Sequence, residues 1–291
     1  EAKNDRSIAD DYRNISDYSI NMKLHEVLKK KLTKQERLLV PRAFDMVGTI
    51  AIFNEFPKEL RKKEKIVAAA VMQLNPNIKT VAKKTGKYAG KYRTPKITVI
   101  DGKKTKETTH RENAVSLRLN VETCYFSART GAERLRVAKQ VKKSEKILVM
   151  FSGIASFPCV IAKNSNPARV YGVELNKQAH KYAEENVRIN KLTTVVLLQG
   201  DVKRIVPKLN ERFDKILLPL PKNAEGYLDL ALKKLKSKGK IYLYLFASVD
   251  DFAAVKRAYQ RRFKKVSLIE CGKYSPGVSR ICLELSHKYY F

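Results

Sequence analysis

From Lys146 to Leu285 short apolar runs alternate with helical periods. Ile147-Leu148-Val149-Met150-Phe151 has no helical period and is bounded by polar residues, which predicts a buried parallel strand. Ser152-Gly153 permits a tight turn with close backbone approach, and a helix follows from Ser156 to about Asn164. A second strand, Arg169 to Val173, ends in Glu174. The alternation then predicts a helix over Asn176–Asn190, a strand over Thr194–Leu198, Gly200-Asp201, and a strand over Asp214–Leu218. After the turn Pro219-Leu220-Pro221 come a helix over Asn223–Leu235, a strand over Lys240–Phe246 and a helix over Val249–Arg262. Strands over Lys264–Cys271 and Val278–Leu285 close the series. Such alternation predicts an α/β fold: a Rossmann-like, doubly wound, mostly parallel sheet with an antiparallel C-terminal hairpin.

Ahead of this block the pattern is different. Leu24, Val27, Leu28, Leu32 and Leu39 predict a helix over 24–39, with Lys29-Lys30-Lys31 on its exposed side. Phe44–Phe53 reads as a strand with a glycine bend, and Lys58–Leu74 as a helix. Ile78–Lys83, Ile97–Asp101, Thr108–Glu112 and Val115–Val121 read as strands. Residues 1–23 are expected to be an arm or a cloning remnant, 24–125 a small α+β domain, and 126–291 the larger α/β domain. A helix beginning near Gly131, capped by Ser127 or Thr130, opens the larger domain.

Parallel sheets of this kind bind ligands at the carboxyl ends of their strands. Gly153, Glu174, Asp201 and Pro219 all fall there. A β-turn-α-β unit whose second strand ends in an acid suits an adenosine-type cofactor, because the carboxylate accepts hydrogen bonds from the ribose hydroxyls. One glycine rather than three argues against a pyrophosphate cradle and places S-adenosylmethionine ahead of a nicotinamide dinucleotide. The alternative is an ordinary crossover with no ligand.

The chain of 291 residues carries 60 Lys and Arg against 29 Asp and Glu, a formal net charge of +31. That excess points to a polyanionic partner, nucleic acid before an acidic membrane, although lysine-rich surfaces also accompany growth at high temperature. The loop Thr85–Thr94 interleaves Tyr88 and Tyr92 with Lys87, Lys91 and Arg93, a composition suited to phosphates and stacked bases, or else a solvated charged loop. Arg129, Glu133, Arg134 and Arg136 crowd one short stretch, which is either a surface ion-pair cluster or a base and substrate clamp. Cys124, Cys159, Cys271 and Cys282 show no CxxC spacing and read as buried thiols in a reducing compartment; the four His lack metal-ligand spacing. No apolar run approaches membrane-spanning length, so a cytoplasmic protein is expected.

Several ordered motifs carry a resemblance. They are Pro41-Arg-Ala-Phe-Asp-Met-Val-Gly-Thr-Ile50, Gly90-Lys-Tyr-Arg-Thr94, Thr108-Thr-His-Arg-Glu112 and Phe126-Ser-Ala-Arg-Thr-Gly-Ala-Glu-Arg-Leu-Arg136. Met150-Phe-Ser-Gly153, Pro219-Leu-Pro-Lys222 and Lys273-Tyr-Ser-Pro-Gly277 complete the set. Over Leu24–Leu285 the chain resembles the archaeal and eukaryotic tRNA guanine-N1 methyltransferases that act on the purine just 3′ of the anticodon, in particular their archaeal wyosine-pathway branch. The resemblance implies S-adenosylmethionine as cofactor. It implies Phe151 and Gly153 in the first cofactor motif, Glu174 on the ribose, Asp201 and Val202 by the adenine, Pro219 at the site and Arg134 at the methionine end. It further implies Glu133 as general base, Arg93 and Arg129 on the target base, and RNA contacts from Lys87, Tyr88, Lys91, Tyr92 and Arg136. The implied partner is the anticodon stem-loop of tRNA-Phe, with no metal and no membrane, bound by a monomer.

Two departures from the family pattern matter. The family usually carries a small N-terminal domain that inspects the tRNA elbow; about 20 residues precede Met22, too few for it, so either recognition rests on the anticodon arm or the sequence is a truncated form of a longer protein. The guanine-N1 enzymes have Asn-Leu-Pro where this chain has Pro219-Leu220-Pro221. An Asn amide can donate to and accept from a guanine edge, whereas proline has neither a polar side chain nor a backbone donor. In the wyosine branch this change accompanies methylation of C7 of 4-demethylwyosine, giving isowyosine. Guanine-N1 methylation, alone or in addition, aminocarboxypropyl transfer from the same cofactor, and non-catalytic RNA binding are the alternatives.

Overall fold

Strand β7 (Lys146–Met150) is buried from its second residue onward because it lies inside a sheet covered on both faces. The computed structural model describes residues 23–86, 90, 92, 94–219 and 224–286. The chain divides into two compact units, one running to His110 and including Asn120–Glu122, the other comprising Arg111–Leu119 and the chain from Thr123.

In the first unit residues 23–28 are helical, and α1 (Lys34–Leu39) follows after a break. The single helix expected over 24–39 is therefore two. Thr33 is extended and closes a capping box: its Oγ1 accepts from Glu36 N at 3.2 Å, and Glu36 Oε2 accepts from Thr33 N at 2.8 Å. A four-stranded sheet is ordered β1 (Asp45–Val47), β2 (Ile50–Phe53), β3 (Thr80–Lys84), β4 (Ile97–Gly102). The expected bent strand over 44–53 is a tight antiparallel hairpin, β1 against β2. Gly48 turns it at φ +55°, and a Cβ there would lie 2.3 Å from Thr108 Oγ1, so neither the backbone nor the space admits another residue. The expected helix over 58–74 opens as a 3₁₀ turn and becomes α2 (Glu64–Leu74), which buries Val67, Ala68, Ala70 and Val71. β5 (Glu107–Glu112) and β6 (Val115–Asn120) form a two-stranded sheet, and the division between the units passes through it.

The second unit holds α3 (Gly131–Lys139), β7, α4 (Ser156–Asn164), β8 (Arg169–Glu174), α5 (Lys177–Ile189), β9 (Val195–Gln199) and α6 (Val202–Ile205). It continues with β10 (Phe213–Leu218), α7 (Leu228–Lys234), β11 (Leu235–Ser248), α8 (Phe252–Gln260), β12 (Lys265–Ser275) and β13 (Val278–Ser286). The seven-stranded sheet is ordered β12-β13-β11-β10-β7-β8-β9. β9, β8, β7, β10 and β11 pair in parallel, while β13 and β12 pair antiparallel. This is the expected Rossmann-like sheet with its antiparallel C-terminal hairpin. Its order reverses at β7, which lies between β8 and β10, and such a switch point opens a crevice at the strands' carboxyl ends.

Asn186 on α5 fixes what packs behind that crevice. It is fully buried; its Oδ1 accepts from Arg118 N at 2.7 Å, and its Nδ2 donates to Arg118 O and Ile154 O, each at 3.0 Å. One amide thus ties β6, α5 and the turn after β7. Asn190, one turn on, repeats the grip on Ser116, accepting from its N at 2.9 Å and donating to its O at 2.7 Å. Asn186→Ala removes the partner of three backbone groups, of which Ile154 O is buried, and is expected to lower stability by about 2–4 kcal/mol. Denaturant unfolding measures this, and an unchanged midpoint would refute the clamp.

Candidate active site

The turn that leaves β7 carries three residues with left-handed backbone within five positions: Phe151 (φ +59°), Gly153 (φ +56°) and Ala155 (φ +62°). Such backbone in a bulky residue costs on the order of 1 kcal/mol and persists where surrounding structure imposes it. The Phe151 ring is held edge-on against Tyr227, centroids 4.8 Å apart. A Cβ on Gly153 would meet Tyr125 O at an ordinary 3.7 Å, so conformation and not space calls for glycine there. Ala155 precedes α4 without capping it, so no side chain occupies the helix's N-terminal donors.

Glu174 ends β8 and closes this turn. Its Oε2 accepts from Gly153 N at 2.7 Å and its Oε1 from Asn176 N at 2.7 Å. Burial pushes its pKa above the usual carboxylate range, against the opposing pull of these backbone donors. A carboxylate can accept about four hydrogen bonds, so Glu174 retains capacity for a further donor. Asn176 caps α5 by accepting from Gln178 N at 3.0 Å and donates from Nδ2 to Thr123 O at 2.8 Å. Gly200 N donates to Glu174 O at 2.8 Å, which brings the end of β9 alongside. Asp201 caps α6 through Lys203 N at 2.9 Å, and Val202 is buried behind it. Pro219 follows β10 and is partly exposed. Phe151, Gly153, Glu174, Asp201, Val202 and Pro219 therefore share the carboxyl rim of β7, β8, β9 and β10.

The residues on α3 do not form the single cluster their spacing suggests. Neither Ser127 nor Thr130 caps the helix through its side chain; Thr130 Oγ1 instead bonds Ser127 O at 2.9 Å and Arg134 Nη1 at 2.5 Å. Arg134 is buried and bidentate to Glu112, Nε to Oε1 and Nη2 to Oε2, each 2.5 Å, and it lies 5.1 Å from the Phe126 ring. Glu133, also buried, faces β11 and β13 instead. Its Oε2 accepts from Arg136 Nε at 2.6 Å; its Oε1 accepts from Arg136 Nη2 at 2.8 Å and from the Tyr244 hydroxyl at 2.7 Å. Adjacent helical positions point about 100° apart, which separates the two ion pairs. Arg129 lies in the 3₁₀ turn just before α3.

Arg136 continues the network to Glu284, which also accepts from Lys240 Nζ and Gln140 Nε2, both at 2.8 Å. Burial opposes the charge on Glu284, but Lys240, Arg136 and Gln140 outweigh it and lower its pKa to about 2. The same contest raises Arg136, with Glu133 and then Glu284 holding its charge. Burial, with the neighbouring Cys282 and Glu133, raises the Tyr244 hydroxyl well above its usual value, so it remains a donor to Glu133.

Lys87, Tyr88, Lys91 and Arg93 lie outside the described residues, as do Leu220–Asn223. Tyr92 is exposed. Among the described residues no group of His, Cys, Asp and Glu is arranged to hold a metal ion, and no helix is long and apolar enough to cross a membrane. Cys124, Cys159 and Cys282 are buried, while Cys271 is partly exposed.

Sequence patterning gave no role to Asn176, Tyr244 or Glu284, and it placed Ser152 and Glu112 in motifs without naming their partners. Ser152 has a buried hydroxyl without a partner among the described residues, and a Cβ on Gly172 would sit 3.0 Å from it. A glycine inside the β8 run was the one available signal of that close approach.

Comparison with known proteins agrees with this fold. A TRM5/TYW2 methyltransferase domain model matches residues 108–271, and a TYW2 N-terminal domain model matches residues 24–105. The tRNA (guanine(37)-N(1))-methyltransferase Trm5b of Pyrococcus abyssi is 37% identical over 215 residues, 74% of this chain and 63% of that protein. The chain thus spans less than two thirds of that relative's length. The tRNA 4-demethylwyosine(37)-methyltransferase Taw21 of Saccharolobus solfataricus is 32% identical over 223 residues, 75% of this chain and 82% of that one. The crystal structure of Trm5b from Pyrococcus abyssi superimposes with a TM-score of 0.77 at 30% identity, covering 89% of this chain and 79% of that one. With more than half its length matched by the domain model, and with such identity to Taw21, the chain belongs to the TRM5/TYW2 methyltransferase family.

Proposed function

We propose that this protein transfers a methyl group from S-adenosylmethionine to C7 of 4-demethylwyosine in tRNA-Phe, forming isowyosine. The observation that carries the choice of atom is Pro219 at the end of β10. A proline there offers a guanine edge neither an amide nor a backbone donor. C7 of the imidazo ring is a carbon nucleophile and needs no such partner. The relative named a 4-demethylwyosine methyltransferase supports this reading. The higher identity to a guanine-N1 methyltransferase supports a second, in which N1 of guanine is methylated instead or as well.

The residues present suit the cofactor. Glu174 offers free lone pairs for a ribose diol, and a turn with three left-handed residues brings backbone close without a phosphate cradle. Asp201 and Val202 would flank the adenine. Bound S-adenosylmethionine supplies an electrophilic methyl on sulfur for in-line displacement. Glu133 accepts the proton that leaves C7 as the ring regains its electron pair. Arg136 and Tyr244 hold that carboxylate in one orientation. Arg129, together with Arg93, steadies the target base. A direct bond from Arg134 to the methionine carboxylate would require it to leave Glu112, so here Arg134 acts by holding the turn that carries Arg129. Residues 24–125, with Lys87, Tyr88, Lys91 and Tyr92, are assigned to the anticodon stem-loop; Arg136, expected among the RNA contacts, has Nε, Nη1 and Nη2 bonded to Glu133 and Glu284 and serves the carboxylate instead. A net charge of +31 suits that partner.

Nucleoside analysis of tRNA-Phe after reaction tests the proposal. Methyl should appear on 4-demethylwyosine tRNA; product of aminocarboxypropyl mass, or methyl only on guanine N1, would sink it. Pro219→Asn should move preference toward guanine N1, read as the ratio of the two products. Glu133→Gln should reduce kcat by roughly a hundredfold with cofactor affinity unchanged, since general base catalysis contributes about that much. Glu174→Ala should weaken S-adenosylmethionine binding about tenfold or more in calorimetry, the loss of a charge-assisted hydrogen-bond pair. Because burial raises the Glu174 pKa in the fold, its ionisation disfavours the free fold as pH rises through that value. Cofactor affinity should fall as pH is lowered, with the loss setting in at a higher pH than an ordinary carboxylate would give. Glu174→Gln should remove this pH dependence.

A further inference from the structure

The motif Lys273-Tyr-Ser-Pro-Gly277 has no part in the chemistry above, yet the fold brings it to the same rim. Phe246, near the carboxyl end of β11, pairs across the strands with Arg280 on β13. The Arg280 guanidinium lies 5.6 Å from the Phe246 ring centroid. Tyr274 on β12 stacks on Phe246 with centroids 4.1 Å apart and a 34° tilt. The pairing of β12 with β13 is irregular on both sides of Lys273, and such bulges re-aim side chains. Tyr274 remains 55% exposed, so one ring face rests on Phe246 while much of the residue meets solvent.

Two contacts connect this shelf to the cofactor turn. Arg280 Nη2 donates to the Tyr125 hydroxyl at 3.0 Å, and Tyr125 O lies 3.7 Å from the Cβ position of Gly153. One tyrosine therefore spans from the turn to the shelf. Arg280 Nε is buried and lacks an acceptor among the described residues.

We infer that Tyr274, Phe246 and Arg280 form a stacking site for an unpaired RNA base adjacent to the base being modified. The inference rests on the RNA substrate proposed above. Any base offers a π face to an aromatic ring, so the site is tolerant of sequence. A base fits better than a phosphate: Val249 N bonds Gly277 O at 3.2 Å, which brings Asp250 and Asp251 beside the hairpin tip. Arg280 Nε, once uncovered by side-chain adjustment, would serve a carbonyl oxygen on the base edge. A base removed from its own stack in the anticodon loop would gain a substitute there, which holds the loop open beside the target.

The test uses the full chain and tRNA-Phe carrying 4-demethylwyosine, for binding and for turnover alike. Tyr274→Ala should weaken RNA affinity roughly tenfold, the scale of one lost base–aromatic stack. Tyr274→Phe should restore it, because stacking needs the ring and not the hydroxyl. The KM for RNA should rise with kcat retained, while melting temperature and S-adenosylmethionine affinity stay as in the parent. Equal RNA affinity of the parent and Tyr274→Ala would overturn the shelf and leave the methyltransferase proposal standing. So would a variant that binds RNA normally but no longer self-associates, which would mark a protein contact. Absence of RNA binding by the parent chain would instead defeat the proposed substrate, and the shelf with it.

Discussion

A single carboxylate joins three segments at the crevice. Glu174 sits at the end of β8 and takes one backbone N–H from the β7 turn and another from the start of α5. Neither donor has a competing acceptor in its own element, because one leaves a strand and the other enters a helix. The carboxylate thereby fixes how the turn and the helix approach one another. Its burial resists the charge that ribose recognition uses, and the two backbone donors offset part of that resistance. The left-handed backbone at Phe151, Gly153 and Ala155 belongs to the same arrangement: the turn must fold back far enough for Gly153 N to reach the acid.

Helix α3 partitions its charges. Arg134 and Glu133 are neighbours in sequence and are both buried, but they serve separate ion pairs. Arg134 with Glu112 braces the segment 127–130. Glu133 with Arg136, Tyr244 and Glu284 braces the helix against the sheet. Buried ion pairs stabilise little in net terms but fix orientation, since misplacing one partner strands the other in a poor dielectric. A carboxylate assigned to proton transfer gains from that immobility, because its reach is set by the helix and not by its own rotamers.

Much of the architecture was legible beforehand. The unbroken apolar run at 147–151 marked a strand with both faces covered, and the acids and turns after this strand and its parallel neighbours fell on one rim because parallel strands all end on the same side. The misses have local causes. The capping box at Thr33 divided what Leu24–Leu39 periodicity presented as one helix, and Gly48 folded an apparent strand into a hairpin. Both are backbone events that hydrophobic spacing does not encode.

The side-chain partners were a different matter. Glu133 meets Tyr244 111 positions away, and Arg136 meets Glu284 148 positions away. Spacing along the chain placed Arg129, Glu133, Arg134 and Arg136 in one crowd, whereas helical rotation and the sheet beneath divided them. The Phe246, Tyr274 and Arg280 shelf likewise exists only because β11, β13 and β12 are neighbours. Sequence alone determined the order of elements, the rim and its acids, since these follow from local period and polarity. Which charges pair, which are buried and which aromatic ring stays open were decided by tertiary packing, because those depend on residues that no local pattern brings together.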